Sequence, residues 1–519
     1  MAKPNEKLAK SLAELKKLQT GNEVTVVRTG DLSRTHLKRL VSAGYLKFVL
    51  NGWYIQSRPS EQAGDTTAWY TSFWAFCAQY LEERYDKNWC LSPDHSLALH
   101  AGDWKVPSQL IARSLKANNS KTDLLYNTSL FSMKLKIPNS NELDVFEGMR
   151  VYTIPAALVA CGESFFRKNP TEARTILSLV RDASELLGLL LEGEHPVIGG
   201  RLVGAFRNIG NHKIADQIIE VMDKAGFTVR ESDPFDDQPD YEISLRETSP
   251  YVQHIKIMWQ NMRDEVISRF PNSPGMPEDI NQYLLDVEDV YKTDAYHSLS
   301  IEGYQVTEDL IEKVKKGDWD IELNEEDKKE ANALAARGYY QAFQKVKASI
   351  EKILNEENSG VVVNKNHREW HRELFIPSVD AGIIEVKDLA GYRRSPVYIR
   401  GSMHVPMNRD AVLDSMLALF ELLENESEPS VRSVLGHFIF VFIHPYMDGN
   451  GRMGRFLMNA MLASGGYPWT VIPMERREQY MAALEKASTK QEIVEFVDLL
   501  AELVQKVIDG EPEAKLKEE

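Results

Sequence analysis

Residues 431–466 read VRSVLGHFIFVFIHPYMDGNGRMGRFLMNAMLASGG, and this stretch decides how the rest of the chain is read. Its first part, 433–443, holds no acid or base except His437. A helix that is apolar nearly all round has no face for water, so this one must lie at the centre of its domain. The run stops at His444-Pro445, because proline disfavours the α conformation in the residue before it and sets His444 at the helix exit. A polar, glycine-rich loop follows, Asp448-Gly449-Asn450-Gly451. A second helix begins near Arg452 and stops at Gly465-Gly466, with Pro468 just beyond.

A glycine-flanked loop that opens a helix is an anion cradle: the backbone approaches closely, and successive N–H groups and the helix dipole point at a phosphate. Arg452 and Arg455, three apart, share one helix face and can clamp further phosphate oxygens. Asp448 offers a hard oxygen for Mg²⁺, which binds through one or two carboxylates plus substrate phosphates. His444 is near in sequence and titrates in the range of a general base. Phosphate binding, a metal and one base together serve phosphoryl or nucleotidyl transfer.

Taken singly, these residues have ordinary structural readings, since a histidine before proline caps helices or fills cores and a lone GxG is common. Taken together, HPYMDGNGRMGR at 444–455 resembles the Fic motif H-x-F-x-(D/E)-G-N-G-R-x-x-R, with Tyr446 in place of phenylalanine. The tyrosine keeps the aromatic bulk that anchors the loop and leaves one question, whether its hydroxyl finds a partner. The resemblance extends over roughly 280–500 and implies an all-helical Fic domain with a β-hairpin flap. It also implies an ATP site over Gly449, Asn450, Gly451, Arg452 and Arg455, with Mg²⁺ on Asp448. His444 would take the proton of a Tyr, Ser or Thr hydroxyl on a protein target, the chain itself included. The oxygen would attack the α-phosphate, and pyrophosphate would leave.

Leu389-Ala390-Gly391-Tyr392-Arg393 and Pro396-Val397-Tyr398-Ile399-Arg400-Gly401 resemble the family's approach to its flap. Val397, Ile399 and Val405 either pair with an extended target segment or belong to an ordinary edge hairpin. Tyr480 matches the place where Fic enzymes set an aromatic near the adenine; a core role is the alternative. His367 and His371, one helical turn apart, have no third ligand in sight and read as structural rather than as a metal pair.

Ser298-Leu299-Ser300-Ile301-Glu302-Gly303 matches the family's inhibitory pattern (S/T)-x-x-x-E-(G/N), and no other stretch of the chain does. It closes an amphipathic helix carrying Ile280, Leu284, Val287 and Tyr291 upstream of the catalytic segment. Ser298 and Glu302 stand one turn apart on one face. By the resemblance, Glu302 pairs with Arg455 and occupies the arginine that should hold the γ-phosphate. A charge-assisted Arg–carboxylate pair in a partly desolvated cleft is strong enough to compete with a phosphate. Some Fic enzymes with this brake also remove AMP, using the glutamate to handle a water.

Outward from this segment, the 519 residues are too many for one core, since cores stop growing at roughly 250–300 residues. A net charge of −16 argues against a whole-chain nucleic-acid coat but leaves room for a local basic patch. Three cysteines, Cys77, Cys90 and Cys161, without CxxC, give no disulfide framework or structural zinc and fit a reducing cytosol. No apolar stretch approaches the 18 residues of a membrane span, and the start MAKPNEKLAKSLAELKKL has no apolar h-region, so a cytoplasmic protein is expected.

The mainly α chain is expected to open with an α+β region. Residues 1–56 have a winged helix-turn-helix outline: a helix over Ser33–Ala43, then strand, Asn51-Gly52 turn and strand. Between Arg28 and Ile55 stand five Lys/Arg and one acid, with Arg34, Lys38 and Arg39 the residues for DNA; a solvated helix face in a protein-interaction module is the bland alternative. Residues 57–230 resemble, with the winged helix, abortive-infection antitoxins through Thr29–Tyr54, Leu97–His100 and Val151–Leu158. Residues 231–250, acidic and proline-rich, read as a linker, and 251–510 as the Fic domain, with its inhibitory helix over 279–303 and catalytic core over about 325–507. The last nine residues, EPEAKLKEE, read as a solvated tail.

Two rival functions stay open at this level. One is a DNA-binding regulator whose Fic domain only senses nucleotide, against which the intact His444 argues. The other is transfer of UMP or phosphocholine, which motif residues that read phosphates do not separate from AMP.

Overall fold

The computed structural model describes residues 4–19, 25–59, 66–316 and 331–516, so the start of the helical run expected from 325 lies outside the described residues. The chain forms two compact units: residues 1–254 with 398–405, and residues 255–397 with 406–519.

The first unit begins with α1 (Pro4–Gln19), β1 (Val26–Arg28), α2 (Arg34–Ser42), β2 (Leu46–Leu50) and β3 (Trp53–Gln56). The three strands form an antiparallel sheet in the order β1-β3-β2, with Val26 opposite Ile55. Leu37 and Leu40 of α2 face Leu15, Val27 and Leu46 in a small apolar cluster. A tight turn, in which the Asp31 carboxylate accepts from the Arg28 amide, joins β1 to α2, so no helix directly precedes α2. Arg34 and Lys38 are exposed, whereas Arg39 donates to the Lys7 carbonyl and the Ser11 hydroxyl of α1, at 2.8 Å each. Arg39 is thereby taken up within the unit.

Beyond this, α3 (Thr67–Tyr85) buries Trp69, Phe73, Phe76 and Tyr80 against Trp53. Four strands follow, β4 (Cys90–Leu91), β5 (Gln109–Arg113), β6 (Ser120–Asp123) and β7 (Ser129–Met133), paired in the order β4-β5-β7-β6 with only β5 and β7 parallel. α4 (Pro93–His100) precedes β5, and β8 (Leu143–Phe146) and β9 (Met149–Tyr152) make a hairpin. Six helices complete the unit: α5 (Ile154–Ala160), α6 (Glu163–Lys168), α7 (Pro170–Leu179), α8 (Ser184–Glu192), α9 (Pro196–Asn208) and α10 (His212–Lys224).

The segment 231–250 is irregular but is not a free linker. Phe235 is buried in the core of the α5–α10 helices, with Ile243 and Leu245 packed beside it. The Arg174 guanidinium lies over the Phe235 ring at 4.7 Å and bonds Asp237 at 3.0 Å. Its acidic composition suggested solvation; the three apolar residues spaced through it dock it instead.

The flap also departs from expectation. No strand is formed over Val397–Val405. Residues 398–405 group with the first unit, where the Val106 amide donates to the Met403 carbonyl at 2.9 Å and Met403 and Val405 pack on the aromatic core of α3. Ile399 accepts from the Ser402 amide in a turn at Arg400-Gly401, and Val397 is buried in the second unit.

The second unit is helical: α11 (Pro250–Arg269, from residue 255), α12 (Ile280–Ile301), α13 (Glu308–Lys316), α14 (Ala331–Leu354), α15 (Ser359–Asp380), α16 (Arg409–Asn425), α17 (Pro429–Ile443), α18 (Asn450–Ala463), α19 (Arg477–Lys490) and α20 (Val494–Ile508). α17 packs on α18 at the centre, α14 lies against α15, and α12 packs on α14 and α18. Along α17, Val434, Leu435, Phe438, Ile439 and Ile443 are fully buried, as its all-round apolar sequence requires. Of the described C-terminal residues, Glu513 and Lys515 are held by neighbours. The Glu513 carboxylate bonds Arg476 at 2.6 Å and Lys506 at 2.7 Å, and the Lys515 carbonyl lies 3.2 Å from the His297 ring of α12.

No helix among the described residues is long and apolar enough to cross a membrane. The three cysteines are free and buried.

Candidate active site

The site is built where α17 ends. His444 caps that helix in the left-handed conformation (φ 53°, ψ 61°), uncommon for a residue with a side chain. Such a conformation persists only if the surroundings impose it. They do so through Arg393, whose Nε donates to the His444 carbonyl at 2.8 Å and whose Nη2 reaches the carbonyls of Met407 and Ile443. The Arg393 amide donates to the Pro445 carbonyl at 2.8 Å. The His444 ring faces the Val441 carbonyl through Nδ1 at 3.3 Å. A carbonyl only accepts, so Nδ1 carries the proton and Nε2 is the basic nitrogen of the ring.

The loop that follows is closed by Asn450. Its Oδ1 accepts from the Tyr446 amide at 2.9 Å and its Nδ2 donates to the Tyr446 carbonyl at 2.8 Å. Asn450 therefore shapes the cradle through its side chain, which is 2% exposed. Gly449 holds φ +86°, and a Cβ there would meet the Phe375 ring at 2.9 Å. A Cβ on Gly451 would stand 2.3 Å from Glu302 Oε1. The Glu302 carboxylate thus lies directly against the first turn of α18, where that helix's free N–H groups attract an anion.

Both arginines of the motif are buried. Arg455 donates from Nε to the Ser298 hydroxyl at 2.9 Å, and from Nη2 to the Ser298 carbonyl at 3.1 Å and Glu302 Oε1 at 2.7 Å. Burial alone would raise the Glu302 carboxyl, but Arg455, then Arg452 and His444, hold it below its ordinary value. Arg452 lies over Phe375 at 5.0 Å and Tyr304 at 5.3 Å, with Nη2 3.5 Å from Asp448 Oδ1. The Asp448 side chain is 67% exposed, and one of its oxygens accepts from the Gly449 amide. Among the described residues, no group of three His, Cys, Asp or Glu is arranged to hold a metal ion. A single exposed carboxylate beside an anion cradle suits Mg²⁺, which takes most of its oxygens from water and phosphates.

Tyr480 is buried, its hydroxyl 2.8 Å from His437 Nε2 and its ring against Phe496. Burial pushes His437 down to about 3, so this ring is neutral. Tyr480 is packed in the core behind Arg455 and is not open to a base. His367 bonds the Val363 and Asn364 carbonyls and the Tyr392 hydroxyl, which leaves no nitrogen for a metal.

His371 supports the loop, a role its sequence position did not disclose. Its ring stacks on Tyr446 with centroids 3.6 Å apart and 7° between planes, and its Nε2 lies 3.1 Å from the Asp448 carbonyl. Burial pushes it down to about 3, so it is neutral and Nε2 donates. The signal was the four-residue spacing from His367 on one face of α15, read there against a metal alone.

The Tyr446 hydroxyl is buried with no hydrogen-bond partner among the described residues. A buried hydroxyl without a partner costs about 1–3 kcal/mol. Tyr446→Phe is therefore expected to raise stability by about 1 kcal/mol with the loop unchanged, read as a higher denaturant midpoint at equal slope.

Comparison with known proteins bears on the same region. Residues 365–462 match the model of the Fic/DOC family. The protein adenylyltransferase Fic of Drosophila grimshawi is 30% identical over 226 residues, 43% of this chain and 43% of that protein. Its counterpart from Drosophila mojavensis is 29% identical over 226 residues, 43% of this chain and 41% of that one. The chain spans less than half the length of these curated relatives. Among solved structures, Fic-1 (residues 134–508) of Caenorhabditis elegans aligns at 16% identity and a TM-score of 0.37, covering 69% of this chain and 86% of that one. The stretch 365–462, from the helix that carries His367 to the end of α18, is a Fic domain of the Fic/DOC family.

Proposed function

We propose that this chain is a protein adenylyltransferase that moves AMP from ATP to a Tyr, Ser or Thr hydroxyl of a protein target, and that Glu302 restrains it. The observation that carries the reading is the Glu302 carboxylate against the first turn of α18, 2.7 Å from Arg455 Nη2. A helix N-terminus with two buried arginines is built for anions, and here it is filled by the chain's own carboxylate. A phosphate chain with more charge and more acceptor oxygens is the natural competitor. Next to it stands His444, whose Nδ1 faces the Val441 carbonyl and whose Nε2 is therefore the basic nitrogen.

In the transfer, His444 Nε2 takes the proton of the target hydroxyl as its oxygen bonds the α-phosphorus. The bond from that phosphorus to the bridging oxygen breaks, and pyrophosphate departs. Arg452, Arg455 and the N–H groups at Gly449–Gly451 hold the triphosphate. Mg²⁺, held by Asp448, would neutralise charge on the phosphates. Incubating the wild type and the Glu302→Gly variant with each labelled NTP tests the reading: label from the α-position of ATP is expected on protein, whereas transfer from UTP alone would assign a different donor.

Exposed Arg34 and Lys38 on α2, next to the β2–β3 hairpin, favour a second role in binding duplex DNA. The full chain is expected to shift its own promoter DNA at low salt, with an affinity that falls steeply as salt rises. Arg34→Glu combined with Lys38→Glu should remove the shift. No shift at low salt would make this a protein-interaction module.

A further inference from the structure

We propose that Asp294 is a positioning residue: through the Tyr339 and Ser298 hydroxyls it aims the Arg455 guanidinium at the anion site. This rests on Arg455 being a ligand of the ATP phosphates.

Asp294, Ser298 and Glu302 stand four residues apart along α12, a stripe on one helix face. Asp294 is 3% exposed, and its Oδ2 accepts from the Tyr339 hydroxyl of α14 at 2.6 Å. The Tyr339 hydroxyl in turn meets the Ser298 side chain. The Ser298 hydroxyl accepts from Arg455 Nε at 2.9 Å. A carboxylate only accepts, whereas each hydroxyl can accept one bond and donate another. The distances fix the two ends, Arg455 Nε–H to Ser298 and Tyr339 O–H to Asp294, and leave the Ser298 O–H to donate toward the Tyr339 oxygen beside it. The Trp469 indole and the Arg455 charge add to the field around the carboxyl, though burial still pushes it up to about 6.

An apolar pair would fill this space at lower cost, since an isolated buried carboxyl is expensive. What the chain supplies is orientation. Arg455 is buried, and its Nε is tied on the α12 side while Nη2 points to Glu302. With Nε held, the outer end of the guanidinium is presented to whatever anion lies over Gly451, whether carboxylate or phosphate. Glu302 belongs to the restrained state alone. The Asp294 relay does not touch the anion and operates in both states.

The test uses full-length Glu302→Gly as parent, with Asp294→Asn and Tyr339→Phe added separately. Both changes keep size and shape, so the core stays filled. Each is expected to weaken ATP binding by calorimetry and to raise the KM for ATP about tenfold, with kcat within about twofold. That pattern marks lost binding of a group that acts alike in ground and transition states. A purely structural role would lower Tm and active fraction while leaving the KM of the folded enzyme unchanged. Variants that bind ATP as tightly as the parent overturn the relay. A parent that neither binds ATP nor transfers label overturns the functional reading, which separates the two failures.

Discussion

Glu302→Gly is expected to raise AMP transfer by one order of magnitude or more, because it clears the first turn of α18 and frees Arg455. The pair to be broken is a 2.7 Å charge-assisted contact between an arginine that is 3% exposed and a carboxylate that is 27% exposed. Each decade of rate corresponds to about 1.4 kcal/mol, so an interaction of about 2–3 kcal/mol accounts for the effect. Position 302 caps α12 just before Gly303 at φ +92°, so glycine there lengthens a turn and leaves the helix interior alone. The variant is expected to be less stable without nucleotide, since Arg455 loses its carboxylate, and to regain stability when ATP is added. Arg455→Ala should be inactive and should stay inactive when combined with Glu302→Gly, which then has no guanidinium to release. A Glu302→Gly enzyme no faster than wild type with any NTP would falsify the restraint.

His444→Ala, made in the released Glu302→Gly chain, is expected to lower transfer by about 10²–10⁴-fold and to leave ATP binding close to that of its parent. In the proposed transfer the imidazole acts on the incoming hydroxyl, whereas the arginines and the loop amides hold the phosphates. Label transfer and calorimetry on the same preparation check both halves of the statement. Transfer at the parental rate would assign the proton to another base.

How much of this was legible depended on how local the information was. α17 could be read from composition alone, because eleven residues with one titratable group leave no solvent face. The α12 stripe was readable for a similar reason, since a four-residue spacing fixes which side chains share a helix face. What escaped were contacts set by residues distant in sequence. Arg393 looked like part of a flap, yet it clamps the carbonyls at the exit of α17, about fifty positions later. Asp294 belongs to no motif, and its partner Tyr339 stands 45 positions further along the chain. The flap itself depends on where residues 398–405 find apolar surface, and no local pattern encodes that. The acidic stretch 231–250 was misread because average composition hides a single docking aromatic, Phe235.

The 2.3 Å between a Cβ on Gly451 and Glu302 Oε1 has a consequence for how such a chain can mutate. Any side chain at 451 evicts the glutamate, but it fills the phosphate seat in the same stroke. A change at 455 likewise removes restraint and substrate grip together. Derepressed alleles in a genetic screen should therefore fall at Glu302 on the capping end of α12, while lesions across 449–455 read as loss of function. On the proposed reading restraint and chemistry share one surface, so single-step escape is expected at Glu302, which does not hold the phosphates.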